Sequence, residues 1–268
     1  MSAHKKNSRA YVKNIFGGWL YYFVAFIDNS FTKTFVMEKN DTTTNRRAFI
    51  GTLATGAAAM SLAGIAAPLQ TMAKQGHKIS TDDDPDAWFK KLDSKKHKIA
   101  FDATEPNGVM PFAWPRVFLV TNGMTGSSEK DTGVVVILRH EAIPFAMDSS
   151  LWTKYKFGEV FKVNDDKTKT SSVRNAFWKP GKDDFQLPGL GSVQIGINDL
   201  QDSGVMFCVC NMALTVYSAA VAQMNNLKHE DVFNEWKKGI LPGIQVVPSG
   251  VWAVGRAQEH GCAYCFAG

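Results

Sequence analysis

The chain is 268 residues long, with 45% hydrophobic residues, four cysteines and 30 Lys+Arg against 25 Asp+Glu. That is the composition of one ordinary globular domain with something attached, and it excludes a disordered chain, a collagen and a disulfide-dense miniprotein. Eight of the basic and three of the acidic residues fall in residues 1–73, which leaves 22 of each for residues 74–268. The surplus of +5 therefore belongs to the N-terminal segment. The neutral remainder argues against nucleic acid or an anionic membrane as a partner, because both need basic charge on the folded part.

The chain opens with an apolar stretch at residues 15–27, too short to span a bilayer. Behind it stand Arg46-Arg47-Ala48-Phe49-Ile50, a small and apolar run over 52–69, and Thr71-Met72-Ala73. A charged pair, a modest apolar stretch and a small-x-small ending are the parts of an export signal. The Arg-Arg pair and the Ala/Gly-rich run resemble a twin-arginine signal. The expected division is a doubtful extension or mis-assigned start at 1–36, with Met37 as the true start, and a twin-arginine signal peptide at 37–73, cut after Ala73. The expected destination is the periplasm, reached through the twin-arginine translocase, with no stable membrane insertion of the mature protein.

Residues 74–96 are highly charged and poor in apolar residues, and read as a charged tether with one helical turn around Trp88. From 97 to 268 the pattern is that of a domain. A short strand covers 99–103, and a Pro-broken segment follows with a helix beginning near Pro115. The unbroken run 133–138, rich in β-branched residues, needs both faces covered and so reads as a central parallel strand. A helix is expected over 142–155, a polar Pro/Gly-punctuated insertion over 164–189 and a short helix over 193–201. A strand at 205–210 runs into a helix starting at Asn211, whose apolar residues keep a spacing of three and four. A helical turn at 232–236, a strand at 244–247, a helix over 251–260 ended by Gly261 and a strand at 262–266 complete the series. Strand and helix alternate, so the predicted fold is α/β: a three-layer α/β/α sandwich around a mostly parallel five-stranded sheet.

In such a sheet the ligand crevice lies beyond the carboxyl ends of the strands. That rule selects Arg139 and His140 at the end of one strand and Cys210 at the end of another. A cysteine at a helix N-terminus meets unpaired backbone N–H groups and the positive end of the macrodipole, which favour the thiolate. The alternative for Cys210 is a buried, inert thiol. Cys208 points by alternation to the same face and reads as mainly structural, with a resolving role for an oxidised Cys210 as its functional alternative. His140 reads as a base, a metal ligand or a strand-end histidine bonded to a loop. Cys262 and Cys265 have C-x-x-C spacing, open to zinc or an iron–sulfur cluster, to two packed thiols or to a disulfide.

The stretch Phe207-Cys-Val-Cys210-Asn-Met-Ala-Leu214, then residues 241–251 (LPGIQVVPSGV), then Arg256-Ala-Gln258-Glu259-His-Gly261, resemble the DsrE/DsrF-like family. The resemblance covers Lys98 to Gly268 and is strongest from Ser192. It implies a five-stranded parallel sheet with helices on both sides, a homo-oligomer, and a cysteine after a strand that takes sulfane sulfur as a persulfide from a donor protein and passes it to an acceptor. The matching position is Cys210. No organic cofactor is implied. The expected function is thiol-based sulfur handling or a redox role through Cys210, with Arg139 or His140 stabilising the anion. The alternative is a non-catalytic periplasmic binding or metal-holding module with structural cysteines. The export signal, the insertion at 164–189 and the Cys262/Cys265 pair depart from the relay pattern.

Overall fold

The computed structural model describes residues 84–187 and 191–268. The extension, the signal peptide and the first part of the tether lie outside the described residues. Helix α1 (Pro85–Phe89) opens the described chain, capped by Asp84, whose side chain accepts the Asp86 N–H at 3.0 Å. A 3-10 turn (Lys90–Leu92) follows. Strand β1 (His97–Ala103) leads to helix α2 (Met110–Met124), strand β2 (Thr132–Leu138), a 3-10 turn (His140–Ala146) and helices α3 (Ser149–Tyr155) and α4 (Phe157–Val160). After the insertion come α5 (Ile197–Asp202), β3 (Met206–Cys210), α6 (Asn211–Met224), α7 (His229–Lys238), β4 (Ile244–Val247), α8 (Gly250–Glu259) and β5 (Ala263–Phe266).

The five strands form one sheet in the order β4-β3-β2-β1-β5, and every pairing is parallel. The architecture is the predicted three-layer sandwich. All seven residues of β2 are buried, because this strand is central and both of its faces are covered. Strand alternation sorts the side chains into two cores. Ala100, Val135, Ile137 and Cys208 pack under α8 with Ala253, Ala257 and Cys262. Phe101, Val134, Val136, Leu138, Phe207 and Val209 build the larger core on the other face, with Phe112 of α2, Leu214 of α6 and Trp236 of α7.

Several elements differ from expectation for identifiable reasons. The helix expected near Pro115 begins at Met110, since Pro111 sits in the first turn, where a missing N–H costs nothing, and the helix runs on through Pro115. The single helix expected over 142–155 is two pieces. Pro144 lies in the 3-10 turn, the chain then extends at Met147, and Asp148 caps a fresh start by accepting the N–H groups of Ser150 and Leu151. The second half of the tether is packed: Phe89 and Leu92 are fully buried in the smaller core. The Arg256–Asp86 ion pair at 2.7 Å and a hydrogen bond between His260 Nδ1 and Asp93 at 2.5 Å hold this segment to α8 and to the residue after it.

The insertion is also built into the core. Phe177 stacks on Phe112 and Phe185, with ring centroids 4.1 and 5.0 Å away. The buried Asn175 amide donates to the carbonyls of Phe145 (2.8 Å) and Met147 (2.9 Å), so its polarity is fully used. Gly158 of α4 lies so close to the backbone of Ser172 that any Cβ there would overlap it.

At the rim of the insertion Lys167 donates to Asp184 at 2.5 Å and the Gly181 N–H donates to the same carboxylate at 3.0 Å. These bonds, Lys167 first, hold the Asp184 carboxyl below the usual carboxylate range; the backbone N–H of Thr168, with that of Lys167, does the same for Asp165. A folded-state value below the unfolded one contributes stability that is present above the unfolded pKa and lost as pH falls through the folded one. Hydrogen-exchange protection in residues 164–185, taken relative to the intrinsic amide rate at each pH, is therefore expected to fall selectively as pH drops from about 6 to about 3, and Asp184→Asn should blunt the change. Unaltered protection relative to the sheet at the lower pH would contradict this.

Candidate functional site

The carboxyl edge of the sheet brings together Asp102 from β1, Arg139 just past β2 and Cys210 at the end of β3. Leu138 pairs with Val209, so Arg139 and Cys210 are the next residues on two adjoining parallel strands. Such strands lie about 4.8 Å apart. Cys210 is the N-cap of α6, and its Sγ accepts the Ala213 N–H at 3.3 Å. The helix thus starts where the sequence predicts, and the sulfur occupies the place of a capping oxygen.

The environment of that sulfur differs from expectation. Cys210 is only 6% exposed and packs with the larger core, so it does not stand open at the mouth of a crevice. Cys208 is fully buried in the smaller core. The chain turns into α6 at Cys210, and the two sulfurs end in different clusters despite the alternation that predicts a shared face. Burial first, then the charges of Cys210 and Asp102, pushes the Cys208 thiol far up, which suits a structural residue.

Arg139 is gripped by Asp102 through two hydrogen bonds, Nε to Oδ1 at 2.6 Å and Nη2 to Oδ2 at 2.9 Å. The Tyr264 hydroxyl donates to Asp102 Oδ2 at 2.9 Å. Asp102 is 2% exposed and is the single charged side chain among the buried described residues. The Asp102 hydrogen bonds come first in holding the Arg139 guanidinium above its ordinary value, and burial opposes them. Gly250, the first residue of α8, lies against the Arg139 stem so closely that a Cβ would overlap it. Arg139, Asp102 and Tyr264 line an open cleft with Val251, Val254 and Gln258 of α8.

His140 does not join this group. It is exposed, adopts a left-handed backbone (φ 52°) and lies edge-on to Tyr217 of α6, ring centroids 5.7 Å apart. Cys262 and Cys265 are not brought together either: Cys262 is buried in the core under α8, whereas Cys265 packs against the core on the opposite face. Burial pushes the Cys262 thiol up to about 11, with Lys98 opposing. All four cysteines are free thiols. Among the described residues, no group of three or more His, Cys, Asp or Glu is placed to hold a metal ion.

Sequence reasoning does not select Asp102 or Tyr264. An aspartate in the apolar strand stretch Ile99-Ala-Phe101-Asp-Ala is the signal that points to the first, since a buried carboxylate needs a charged partner.

No family model matches this chain. No curated protein matches it. Among solved structures, it is similar to a protein of unknown function, MTH1491, from Methanobacterium thermoautotrophicum. The two share 14% identity over 63% of this chain and 98% of that one, with a TM-score of 0.34.

Proposed function

We propose that this chain is an exported thiol protein of the DsrE/DsrF-like kind, in which Cys210 accepts sulfane sulfur as a persulfide. The observation that carries the reading is the hydrogen bond from the Ala213 N–H to Cys210 Sγ at the strand-to-helix junction. An N–H aimed at sulfur favours its ionised form, as does the positive end of a 14-residue helix. In the transfer step the Cys210 thiolate attacks the outer sulfur of a donor persulfide, R–S–SH. A new S–S bond forms, the donor S–S bond breaks, and its electron pair leaves with R–S⁻ while the proton stays on the transferred sulfur. No oxidant and no organic cofactor are required. The twin-arginine pattern at Arg46-Arg47 supports a periplasmic setting, and the family resemblance supports a homo-oligomer with separate sulfur-donor and sulfur-acceptor proteins.

The 6% exposure of Cys210 favours a second reading, a non-catalytic binding module whose cysteines are structural. One experiment separates the two. Folded protein treated with polysulfide and analysed by mass spectrometry should carry one added sulfur atom on Cys210, absent in Cys210→Ser and retained in Cys265→Ser. Because so little of the thiol is open, a small thiosulfonate reagent should modify it at least about tenfold faster than a bulky aromatic disulfide. An unmodified Cys210 in folded protein, with Cys265 modified instead, would establish the second reading.

A further inference from the structure

The ion pair at the carboxyl edge asks for an explanation of its own. Removing two charges from water is expensive, and apolar residues of similar volume often serve stability as well or better. Asp102 accepts from Nε and Nη2 of Arg139, which is one side of the planar guanidinium. Both carboxylate oxygens are then in use, the second also by the Tyr264 hydroxyl. Nη1 donates to no partner among the described residues, and the Arg139 side chain is 28% exposed. A guanidinium fixed along one side presents the remaining N–H groups as a rigid fork, a shape that fits a carboxylate.

The cleft that Arg139 lines runs along one flank of α8. This helix turns Gly250, Ala253 and Ala257 to the sheet, and Trp252 and Arg256 to Phe89 and Asp86 of α1. The other flank, Val251, Val254 and Gln258, lines the cleft together with Tyr264 of the edge strand β5. Val251 is 70% and Tyr264 47% exposed, so both offer apolar surface to an occupant. From Val251 to Gln258 the helix makes two turns, a length of about 10 Å. The cleft thus joins a braced cation at the carboxyl end of a parallel sheet, where ligands of such sheets bind, to short apolar walls and one amide. The positive end of the 10-residue α8 borders it at Val251.

We propose that this cleft binds a small organic carboxylate, with its head group on the free side of the Arg139 guanidinium and its apolar body against Val251, Val254 and Tyr264. Asp102 is then a positioning residue that fixes the plane of the fork. An inorganic anion would use the cation and leave the walls bare; a neutral apolar molecule would cover the walls and leave the fork unpaired. The site is separate from Cys210, which packs in the larger core on the other face of the sheet. Sulfur uptake by Cys210 can succeed or fail without altering any outcome below.

The probe is hexanoate, titrated calorimetrically into the full-length protein, with hexan-1-ol and inorganic phosphate as comparisons. Hexanoate is expected to bind with a Kd below about 1 mM, and each comparison at least about tenfold more weakly. Val251→Glu places a like charge in the cleft at an exposed first-turn position, where an acid suits the helix, and should weaken hexanoate at least about tenfold. Val117→Glu, exposed on α2, should leave it unchanged. Arg139→Met combined with Asp102→Leu removes the cation together with the carboxylate beneath it, keeps the walls, and should reduce hexanoate to the strength of hexan-1-ol. If that double variant does not fold, Val251→Glu against Val117→Glu decides. The proposal is overturned by any of three results: no hexanoate binding up to about 10 mM, phosphate or hexan-1-ol binding as tightly as hexanoate, or equal effects of the two glutamate variants.

Discussion

Arg139→Met is expected to destabilise the protein by about 3–5 kcal/mol at neutral pH. The substitution leaves the Asp102 carboxylate, 2% exposed, with the Tyr264 hydroxyl in place of a bidentate cation. Methionine keeps the unbranched stem that lies against Gly250, so lost packing is a minor part of the effect. The penalty comes from stranding a buried charge, and it should therefore vanish when that charge is removed as well. Arg139→Met combined with Asp102→Leu is expected to recover most of the loss, since replacing a whole buried pair by apolar groups is commonly neutral. Denaturant midpoints with unchanged slopes would measure both effects. A single variant within about 0.5 kcal/mol of the parent would mean that water reaches Asp102 freely.

Phe112→Ala carries a comparable expected loss, about 3–5 kcal/mol. Phe112 is fully buried on α2, with Phe145, Phe177 and Phe207 around it at centroid distances of 5.3, 4.1 and 6.4 Å. Truncation opens a cavity among three rings contributed by the turn after β2, the insertion and β3. Because Phe177 belongs to the insertion, hydrogen exchange over residues 164–185 should accelerate together with global destabilisation. Trp114→Ala on the same helix is the control: Trp114 is 41% exposed, and its replacement should change stability by about 0.5 kcal/mol or less. Equal effects at the two positions would contradict the packing described for α2.

The parts of the fold that can be read from sequence are those in which one local signal is strong. The stretch 133–138 is continuous and β-branched, and it is the central strand; the junction at Cys210 and Asn211 shows a strand pattern meeting a three-and-four spacing, and the helix begins there. Where two signals compete, the reading slips. Prolines at 111 and 115 suggest a broken segment, although the first lies in the opening helical turn and the second within a helix that Phe112 anchors to the core. Charge hides burial in residues 84–96, where two apolar side chains, Phe89 and Leu92, suffice to dock a lysine-rich stretch. Asn175 looks like a surface residue until its hydrogen bonds to Phe145 and Met147 are known, and Ser172 until its hydroxyl is seen to bond locally, to the Arg174 carbonyl.

The candidate site divides in the same way. Strand ends select Arg139 and Cys210, and the two follow paired residues of adjoining strands, because the crevice rule depends on topology alone. The partner of Arg139 lies 37 residues earlier in the chain, and no local pattern links the two. His140 follows Arg139 directly and so attracts a role, but its left-handed backbone turns it toward Tyr217. Exposure is the property least accessible to sequence: the same strand end that offers Cys210 to the helix dipole also places it against the larger core.

Helix α1 and the turn after it sit outside the alternating strand–helix series, yet they close one side of the sandwich. A polypeptide trimmed back to His97 would retain all five strands and the candidate site. It would also strip Phe89 and Leu92 from the smaller core and bare the apolar surface they pack against, inviting self-association far from the residues that matter.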